Sequence, residues 1–144
     1  MREIKFRVWD TENNKFFEPT YEAYKGKLED VYIDTTGSVS MRTINAFIHE
    51  SMHPNRFILN QYTGLKDSKG NEIYEGDIVA CTMVGFETHL EIVDCVVKWF
   101  FEVAGFGFEV IAENSDYSVF GLNDKSLLEN LIIGNIYEHK HLIK

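Results

Sequence analysis

The sequence contains one literal match to a catalytic motif, formed by His49, Glu50 and His53. This is the H-E-x-x-H pattern of zinc proteases, in which a helix places both imidazoles on one face and the glutamate acts as general base. Pro54 follows directly and would end such a helix. The apolar residues at helical spacing form a stripe that faces away from both histidines: Ile44, Phe47, Ile48 and Met52. We interpret the histidines as exposed residues at a helix end and expect no tightly bound zinc, with a zinc hydrolase as a remote alternative.

A second group of reactive side chains lies in the middle of the chain, at Tyr62, Lys66, Asp67 and Tyr74. A phenol, a cation and a carboxylate together could make a binding site or an acid/base site. The sequence places no nucleophile and no orienting partner beside them, and such residues usually pack a hairpin and bond its turn. We therefore take these four as candidate binding residues and assign no catalytic residue and no cofactor.

Two weaker patterns receive structural interpretations. His139 and His141 would share one face if the last strand continued, which could bind metal weakly, but a solvated tail is the simpler interpretation. Gly105–Gly107 lacks the third glycine and the following helix of a nucleotide-binding fingerprint, so it predicts a hairpin bend.

Composition limits the class of protein. The 144 residues suit one domain, and 44% hydrophobic residues with 11 Phe, 7 Tyr and 2 Trp exclude a disordered chain. The net charge of −9 argues against a general binder of nucleic acid or anionic membrane, although a local basic strip remains at Lys5, Arg7 and Lys15. We interpret Trp9, Trp99 and the Phe100–Phe101 pair as core or interface aromatics rather than base-stacking platforms.

The cysteines and the amino terminus bear on location. There are only two cysteines, Cys81 and Cys95, with no C-x-x-C pair, and no Asn-x-Ser/Thr sequence occurs. Two buried free thiols in a reducing compartment are the better interpretation. The first residues alternate charged with apolar groups and contain no apolar run suited to a signal peptide. These features predict a cytoplasmic protein.

The elements that must position these residues are mostly strands. Alternation over Glu3–Trp9 predicts a strand, the polar run Asp10–Asn14 a turn, and Lys15–Glu18 the returning strand. Thr43 is expected to cap a short helix that runs through Met52. A second short helix, capped by Asn123 or Ser126 and carrying Leu127, Leu128 and Leu131, is expected before a final strand at Ile132–Tyr137.

The strongest strand signals lie in the second half. Asp67–Gly70 predicts a tight turn that joins Tyr62–Lys66 to Asn71–Tyr74, with Gly70 in the left-handed position. Further predicted elements are a second turn at Glu75–Asp77, a strand at Ile78–Val84, and a pair formed by Glu91–Phe101 and Gly105–Ile111. We assign Gly64, Gly70, Gly76 and Asp77 to structural turn positions. Short connections without helical crossovers predict an antiparallel sheet or a small barrel.

Three blocks of the sequence resemble the YopX family of phage and prophage proteins. They are Met1–Asp10, Gln61–Val79 and Ile133–Glu138, and their order and spacing span the chain. The departures from that family lie at about 20–55 and 84–121. The resemblance implies a mainly β protein with an SH3-like barrel, encoded by phages and prophages, and it implies no established activity. We expect a single domain of residues 1–144, with an N-terminal β-rich subdomain at 1–60 and the barrel at 61–144.

These observations lead to a functional hypothesis. We expect a non-enzymatic accessory protein of a phage or prophage that acts in the bacterial cytoplasm by binding other proteins. The alternative is a nucleic-acid-associated protein that uses the local basic strip. The many aromatics also predict a homo-oligomer, with a contact surface on the Glu91–Val110 hairpin or the amino-terminal hairpin, where Trp99 and Phe101 are the candidate contacts.

Overall fold

The structure is a computed structural model that describes residues 1, 3–84, 89–111, 119–125 and 127–143. It is mainly β, and all its paired strands are antiparallel. The strands are β1 (Phe6–Asp10), β2 (Lys15–Phe16), β3 (Thr20–Glu22), β4 (Lys27–Ile33), β5 (Val39–Thr43), β6 (Phe47–His49), β7 (Phe57–Lys66), β8 (Glu72–Tyr74), β9 (Asp77–Val84), β10 (Leu90–Phe100), β11 (Gly105–Val110), β12 (Val119–Gly121) and β13 (Leu127–Asn135). Short 3-10 helices cover Ala23–Lys25, Glu50–Met52, Phe101–Val103 and Lys140–Ile143.

The described chain forms two compact units, one of residues 7–60 and one of residues 1–6 with 61–144. The units divide after residue 60, and the first six residues belong with the second unit. No helix among the described residues is long and apolar enough to span a membrane.

The larger unit is built on a five-stranded sheet of half-barrel form, in the order β12-β11-β10-β9-β13. Alternation within β10 sends Val93, Cys95 and Val97 into the core, and in β11 Phe108 lies opposite Val97. Because successive side chains of a strand point to opposite faces, each strand contributes every second residue to this core. The predicted strand pair Glu91–Phe101 and Gly105–Ile111 is confirmed as β10 and β11.

The smaller unit contains a four-stranded sheet in the order β3-β4-β5-β6. One face of this sheet is apolar and packs on Val8 and Phe57, and its members are Val31, Ile33, Val39, Met41 and Ile48. The other face carries the intervening residues of the same strands and is partly exposed. The alternation therefore gives the sheet one core face and one open face.

Both predicted helices are wrong in position. Thr43 does not cap a helix; its Oγ1 accepts the N–H groups of Asn45 and Ala46 in a tight turn, and the chain continues as β6. Of the predicted apolar stripe, Ile48 packs on the core, whereas Phe47 is 60% exposed. Because this segment is β-prone and lies next to a paired strand, its apolar residues alternate as in a strand and do not follow helical spacing.

The second helix is replaced by β13, which begins at Leu127 and pairs with β9. The predicted cap Ser126 lies outside the described residues. Register shifts between Leu127 and Glu129 and between Ile132 and Gly134 mark bulges in this strand. These irregularities break the alternation that would have indicated a strand, which explains why leucine spacing suggested a helix.

Cys81 and Cys95 are buried free thiols in the core of the larger unit, as predicted. A hydrogen bond with Cys81, together with burial, raises the pKa of the Cys95 thiol. Neither sulfur reaches the surface, so both act here as small apolar core residues.

Candidate functional site

The predicted hairpin at the centre of the chain is confirmed as β7 and β8, and its turn is organised by Asp67. The Asp67 carboxylate accepts the N–H groups of Lys69 and Asn71 at 3.0 and 2.8 Å, the Asn71 side-chain amide at 3.1 Å and the Ile132 N–H at 3.3 Å. Burial opposes ionisation of this carboxyl, yet these hydrogen bonds hold its pKa below the usual value. Asp67 is therefore occupied in holding the turn and in joining it to β13.

The two tyrosines of the predicted group come together on this hairpin. Tyr62 and Tyr74 are opposite each other in the strand register, with ring centroids 5.5 Å apart. The Tyr74 hydroxyl donates to Glu72 at 2.9 Å, and Glu72 also forms an ion pair with Lys5. The pKa of Lys5 is raised, mainly by its hydrogen bond with Glu72 and to a smaller extent by its hydrogen bond with Glu3. Each charge in this group already has an opposite partner.

Lys66 is the exposed member of the predicted set and lies opposite Glu72 in the register. The structure thus brings Tyr62 and Tyr74 together with Lys5 and Glu72, and it gives Asp67 a separate role in the turn. The binding role of the four residues remains a prediction.

The glycines of the central block lie where the backbone adopts left-handed conformations. Gly64, Gly70 and Gly76 have φ angles of 91°, 91° and 81°. Gly76 also donates its N–H to the Val97 carbonyl and accepts the Ile136 N–H, each at 2.9 Å. Asp77 is buried and accepts the Tyr74 N–H at 2.8 Å. These residues close the second turn and connect it to the end of β13.

The Ile133–Glu138 block likewise holds the backbone in place near the end of the chain. The Asn135 side chain accepts the N–H groups of Tyr137 and Glu138 at 3.1 and 2.9 Å. A Cβ added at Gly134 would lie 2.8 Å from the His139 ring, so only glycine leaves room for that imidazole. His139 therefore packs against the strand end, and the interpretation of His139 as part of a solvated tail is wrong.

The H-E-x-x-H residues do not lie on one helix. His49 is the last residue of β6, and its Nδ1 accepts the Ser51 N–H at 3.2 Å. Glu50 accepts the Val39 N–H at 2.9 Å, and His53 Nδ1 lies 3.1 Å from Glu12 Oε1. The helical spacing that would place both imidazoles on one face is absent, and the three side chains have separate partners.

The basic strip is likewise engaged with neighbouring side chains. Lys5 pairs with Glu3 as well as with Glu72, and the Arg7 guanidinium carbon lies 4.4 Å from the centroid of the Phe16 ring. Lys15 is exposed. Two of the three cations therefore have a carboxylate or an aromatic partner of their own.

An open aromatic groove lies at the turn that joins β10 to β11. One part, with a volume of about 710 Å³, is bounded by β7, the turn and the segment after β12. A second part of about 600 Å³ extends along β11 and β12 and shares Val103, Phe106 and Gly121 with the first. We call the combined surface the sheet-end groove. Its main apolar side chains are Leu65, Trp99, Phe100, Val103, Phe106, Phe120 and Leu122.

Two aromatic contacts fix the shape of the groove. Trp99 and Phe106 are opposite each other in the register, and their rings meet edge to face with centroids 5.0 Å apart. Phe100 lies across Gly107, where an added Cβ would be 3.0 Å from its ring. The aromatic floor is therefore built by the strand pairing itself and does not depend on a ligand.

The rim of the groove is acidic. Glu102 and Asp124 are its charged residues, and the described residues that line it include no Lys, Arg or His. Val103 is 73% exposed and Phe101, in the same turn, is 88% exposed. Large apolar side chains that are exposed to water beside acidic residues are typical of a binding surface. This groove is therefore the clearest candidate for one.

Sequence reasoning named Trp99 and Phe101 as contact residues, and it missed Leu65, Val103 and Leu122. Trp99 lines the groove, while Phe101 stands at the turn beside it. The missed residues come from three separate parts of the chain, and no local pattern connects them. Of the three, only Val103 had a signal in the sequence, because it lies in the apolar turn after β10.

A comparison with known families identifies the chain. The model of the YopX protein family matches residues 5–144. The chain belongs to the YopX family. This match covers both the turns described above and the sheet-end groove.

Two solved structures of YopX-like fold cover 100% of both chains. Protein EF1440 from Enterococcus faecalis matches with 24% identity and a TM-score of 0.59. Protein yopX from Bacillus subtilis matches with 21% identity and the same TM-score. No curated protein matches this chain. These likenesses establish the fold, and the name of neither protein states an activity.

Proposed function

We propose that this YopX protein is a non-enzymatic binding module that takes an extended segment of another protein into the sheet-end groove. The observation that carries the proposal is a groove lined by Trp99, Phe100 and Phe106 beside the exposed residues Val103 and Glu102. Grooves lined by aromatic side chains accept extended and proline-rich segments, because such segments lose little conformational entropy on binding. Trp99 and Phe106 supply the rigid anchors that such contacts need.

The charges favour a basic partner. Glu102 is an exposed carboxylate at the groove, and the whole chain carries a net charge of −9. A segment with Lys or Arg beside apolar residues would be attracted by this field and would place its cation against the rim. A second copy of the chain is the less favourable occupant, since it brings the same negative charge.

The predicted homo-oligomer remains the competing use of the same surface. Light scattering at micromolar concentrations distinguishes the two uses, because a monomer has a mass of 16.7 kDa. The nucleic-acid alternative has weaker support, since Lys5 is paired with Glu3 and Glu72, and a surface that releases few counterions binds phosphate backbones weakly.

The proposed location is the cytoplasm of a bacterium that carries a prophage. The resemblance to phage and prophage proteins, and the bacterial sources of the two similar structures, support action in the cytoplasm of a bacterium that carries a prophage. The two buried free thiols are consistent with that reducing compartment. We place the protein there as an accessory factor.

A display selection with matched variants tests the proposal. A random peptide library is selected on the wild-type protein and on Val103→Lys and Ile92→Lys. Val103 is 73% exposed and lines the groove. Ile92 is 71% exposed, lies on β10 and does not line the groove, so it is the matched control. We expect wild type and Ile92→Lys to enrich the same apolar, Lys- or Arg-containing peptides and Val103→Lys to lose them.

Two outcomes would contradict the proposal. If no peptide family is enriched on the wild-type protein, the groove is not a peptide site. If the enriched peptides bind Val103→Lys as well as they bind wild type, they bind elsewhere on the molecule. Glu102→Gln isolates the charge, and we expect it to weaken binding of basic peptides by up to about fivefold, which corresponds to the loss of an exposed ion pair at the rim.

A further inference from the structure

Gly121 lines the sheet-end groove at a position where the described residues give no reason for a glycine. It is exposed, ends β12 and lacks the left-handed φ found at Gly64, Gly70 and Gly76. A Cβ added at Gly121 would have nothing within 4 Å among the described residues. Glycine weakens a strand, and it often marks a place where a ligand or another backbone approaches closely. The space above Gly121 is therefore a candidate position for a group of the bound partner.

The neighbouring glycine shows what such a space can hold. Gly107 is opposite Gly121 in the register of β11 and β12, so the two positions face the same side of the sheet. Gly107 is buried, and a Cβ added there would lie 3.0 Å from the Phe100 ring. The ring thus covers the bare backbone of Gly107, and aromatic cover of a strand glycine is a known way to stabilise a sheet. Gly121 has the same bare backbone without such a ring.

A second ring above Gly121 would also contact the first. Opposite residues of antiparallel strands are about 4.5–5.5 Å apart, so a ring placed on Gly121 as Phe100 is placed on Gly107 would have its centroid about 5 Å from that of Phe100. Aromatic pairs prefer centroid distances of roughly 4.5–7 Å. Phe100 and Gly121 line the same part of the groove, which has a volume of about 600 Å³. We call the space above Gly121 and beside Phe100 the Gly121 slot.

The charges near the slot indicate what should accompany the ring. Lys98 lies in the same row as Gly107 and Gly121, and it forms an ion pair with Glu109. Glu102 is exposed and lines the same part of the groove as Gly121. Because Lys98 and Glu109 offset each other, Glu102 leaves a negative balance that favours a cation near the ring.

We propose that the Gly121 slot is the specificity pocket of the sheet-end groove and takes an aromatic side chain of the partner, with Lys or Arg close to it in the partner sequence. The inference rests on the proposed function, because the ring arrives on a protein segment bound in that groove. Gly121 then determines specificity, since any side chain at this position would occupy the place of the ring. The ligand class is a peptide anchored by Phe, Tyr or Trp.

The first part of the test is the sequence of the peptides that the full chain enriches from the random library. We expect one position to be held as Phe, Tyr or Trp, with Lys or Arg near it. A family anchored by proline or by an aliphatic residue would overturn the slot and leave the proposed function standing. If nothing is enriched, the proposed function fails, and this inference fails with it.

The second part places the ring on Gly121. One enriched peptide, and the same peptide with Ala at its aromatic position, are titrated by calorimetry against wild type, Gly121→Ala and Gly37→Ala. Gly37 also has nothing within 4 Å of an added Cβ, but it lies between β4 and β5 in the smaller unit, so it is the control for an added methyl group. Thermal denaturation of each variant shows whether the glycine serves the fold.

We expect Gly121→Ala to weaken the aromatic peptide about two- to tenfold, the range of one aromatic pair, and Gly37→Ala to leave it unchanged. The peptide with Ala should bind wild type at least about tenfold more weakly than its parent does. It should be insensitive to Gly121→Ala, because the ring that the methyl group displaces is gone. Gly121→Ala should melt no lower than wild type, since its Cβ meets no atom of the described residues.

Three results of the titrations and the melts would overturn the slot. In the first, Gly121→Ala binds the aromatic peptide as wild type does. In the second, Gly121→Ala weakens both peptides equally, which places the ring elsewhere in the groove. In the third, Gly121→Ala melts well below wild type, which means that the fold itself requires this glycine.

Discussion

The central hairpin and the sheet-end groove are two parts of the same unit with opposite use of their side chains. In the hairpin, the Asp67 carboxylate accepts four hydrogen bonds, and the Glu72 carboxylate holds both Lys5 and Tyr74. In the groove, Trp99 and Val103 present apolar surface to water beside the exposed Glu102. The first region uses its side chains for internal hydrogen bonds and ion pairs, whereas the second exposes apolar surface that the proposed function assigns to a partner.

This contrast explains why membership in the YopX family says more about the fold of this protein than about its function. The blocks shared with the YopX family contain the turn residues Asp67, Gly70, Gly76 and Asn135, whose roles are visible as hydrogen bonds and left-handed backbone. The groove draws its aromatics from β10, β11 and β12. Under the proposed function, the residues that bind a partner are therefore different from those that hold the turns.

The largest effect should come from removing the organiser of the hairpin turn. Asp67→Ala leaves four donors without their acceptor, and we expect it to lower the free energy of unfolding by about 3 kcal/mol. The neighbouring Lys66→Ala, at an exposed position, should change stability by less than about 0.5 kcal/mol. Urea denaturation of both variants measures the difference. Equal stabilities would show that the turn is held by other contacts.

A smaller loss is expected at the left-handed turn position. Gly70 has a φ of 91° and nothing within 4 Å of an added Cβ, so Gly70→Val introduces backbone strain without a steric clash. We expect destabilisation of about 1–2 kcal/mol. Gly70→Asn should cost less, because asparagine tolerates this conformation. An unchanged melting temperature of the valine variant would place the turn in another register.

The pH dependence of stability provides a third comparison. The pKa of Asp67 is lower in the folded state than in the unfolded chain, where it is about 3.9. Its contribution is therefore complete only well above the unfolded-state pKa, from about pH 5 upward, and is lost as the pH falls through the folded-state value. We expect Asp67→Asn to melt below wild type at pH 7 and the gap to narrow at pH 3. A gap independent of pH would mean that the charge of Asp67 has no role.

The smallest stability effect is expected in the groove. Phe101→Asp and Val103→Lys change side chains that are 88% and 73% exposed, so the free energy of unfolding should stay within about 0.5 kcal/mol of wild type. Thermal denaturation checks this. Destabilisation comparable to that of Gly70→Val would place these residues in the folding core and would remove the distinction between the two regions.

Local chemistry made much of the fold predictable from the sequence. The turns at Asp67–Gly70 and Gly76–Asp77 carry their own signals, as does the alternation in β9, β10 and β11. The segments at 43–52 and 127–131 were predicted as helices because their apolar spacing fits a helix. In the structure they contribute to β6 and β13, which form strands because they pair with β5 and β9. A groove assembled from three distant segments depends on strand register, which composition does not encode.

The most direct test of the account is a map of where a selected peptide binds. An enriched peptide is titrated into isotope-labelled protein, and the backbone amide shifts are followed by NMR. We predict that the largest shifts fall at Leu65, Val103, Phe106 and Leu122, with little change at the Asp67–Asn71 turn. If the largest shifts fall at the turn and the groove amides stay still, the division between a building region and a binding region is wrong.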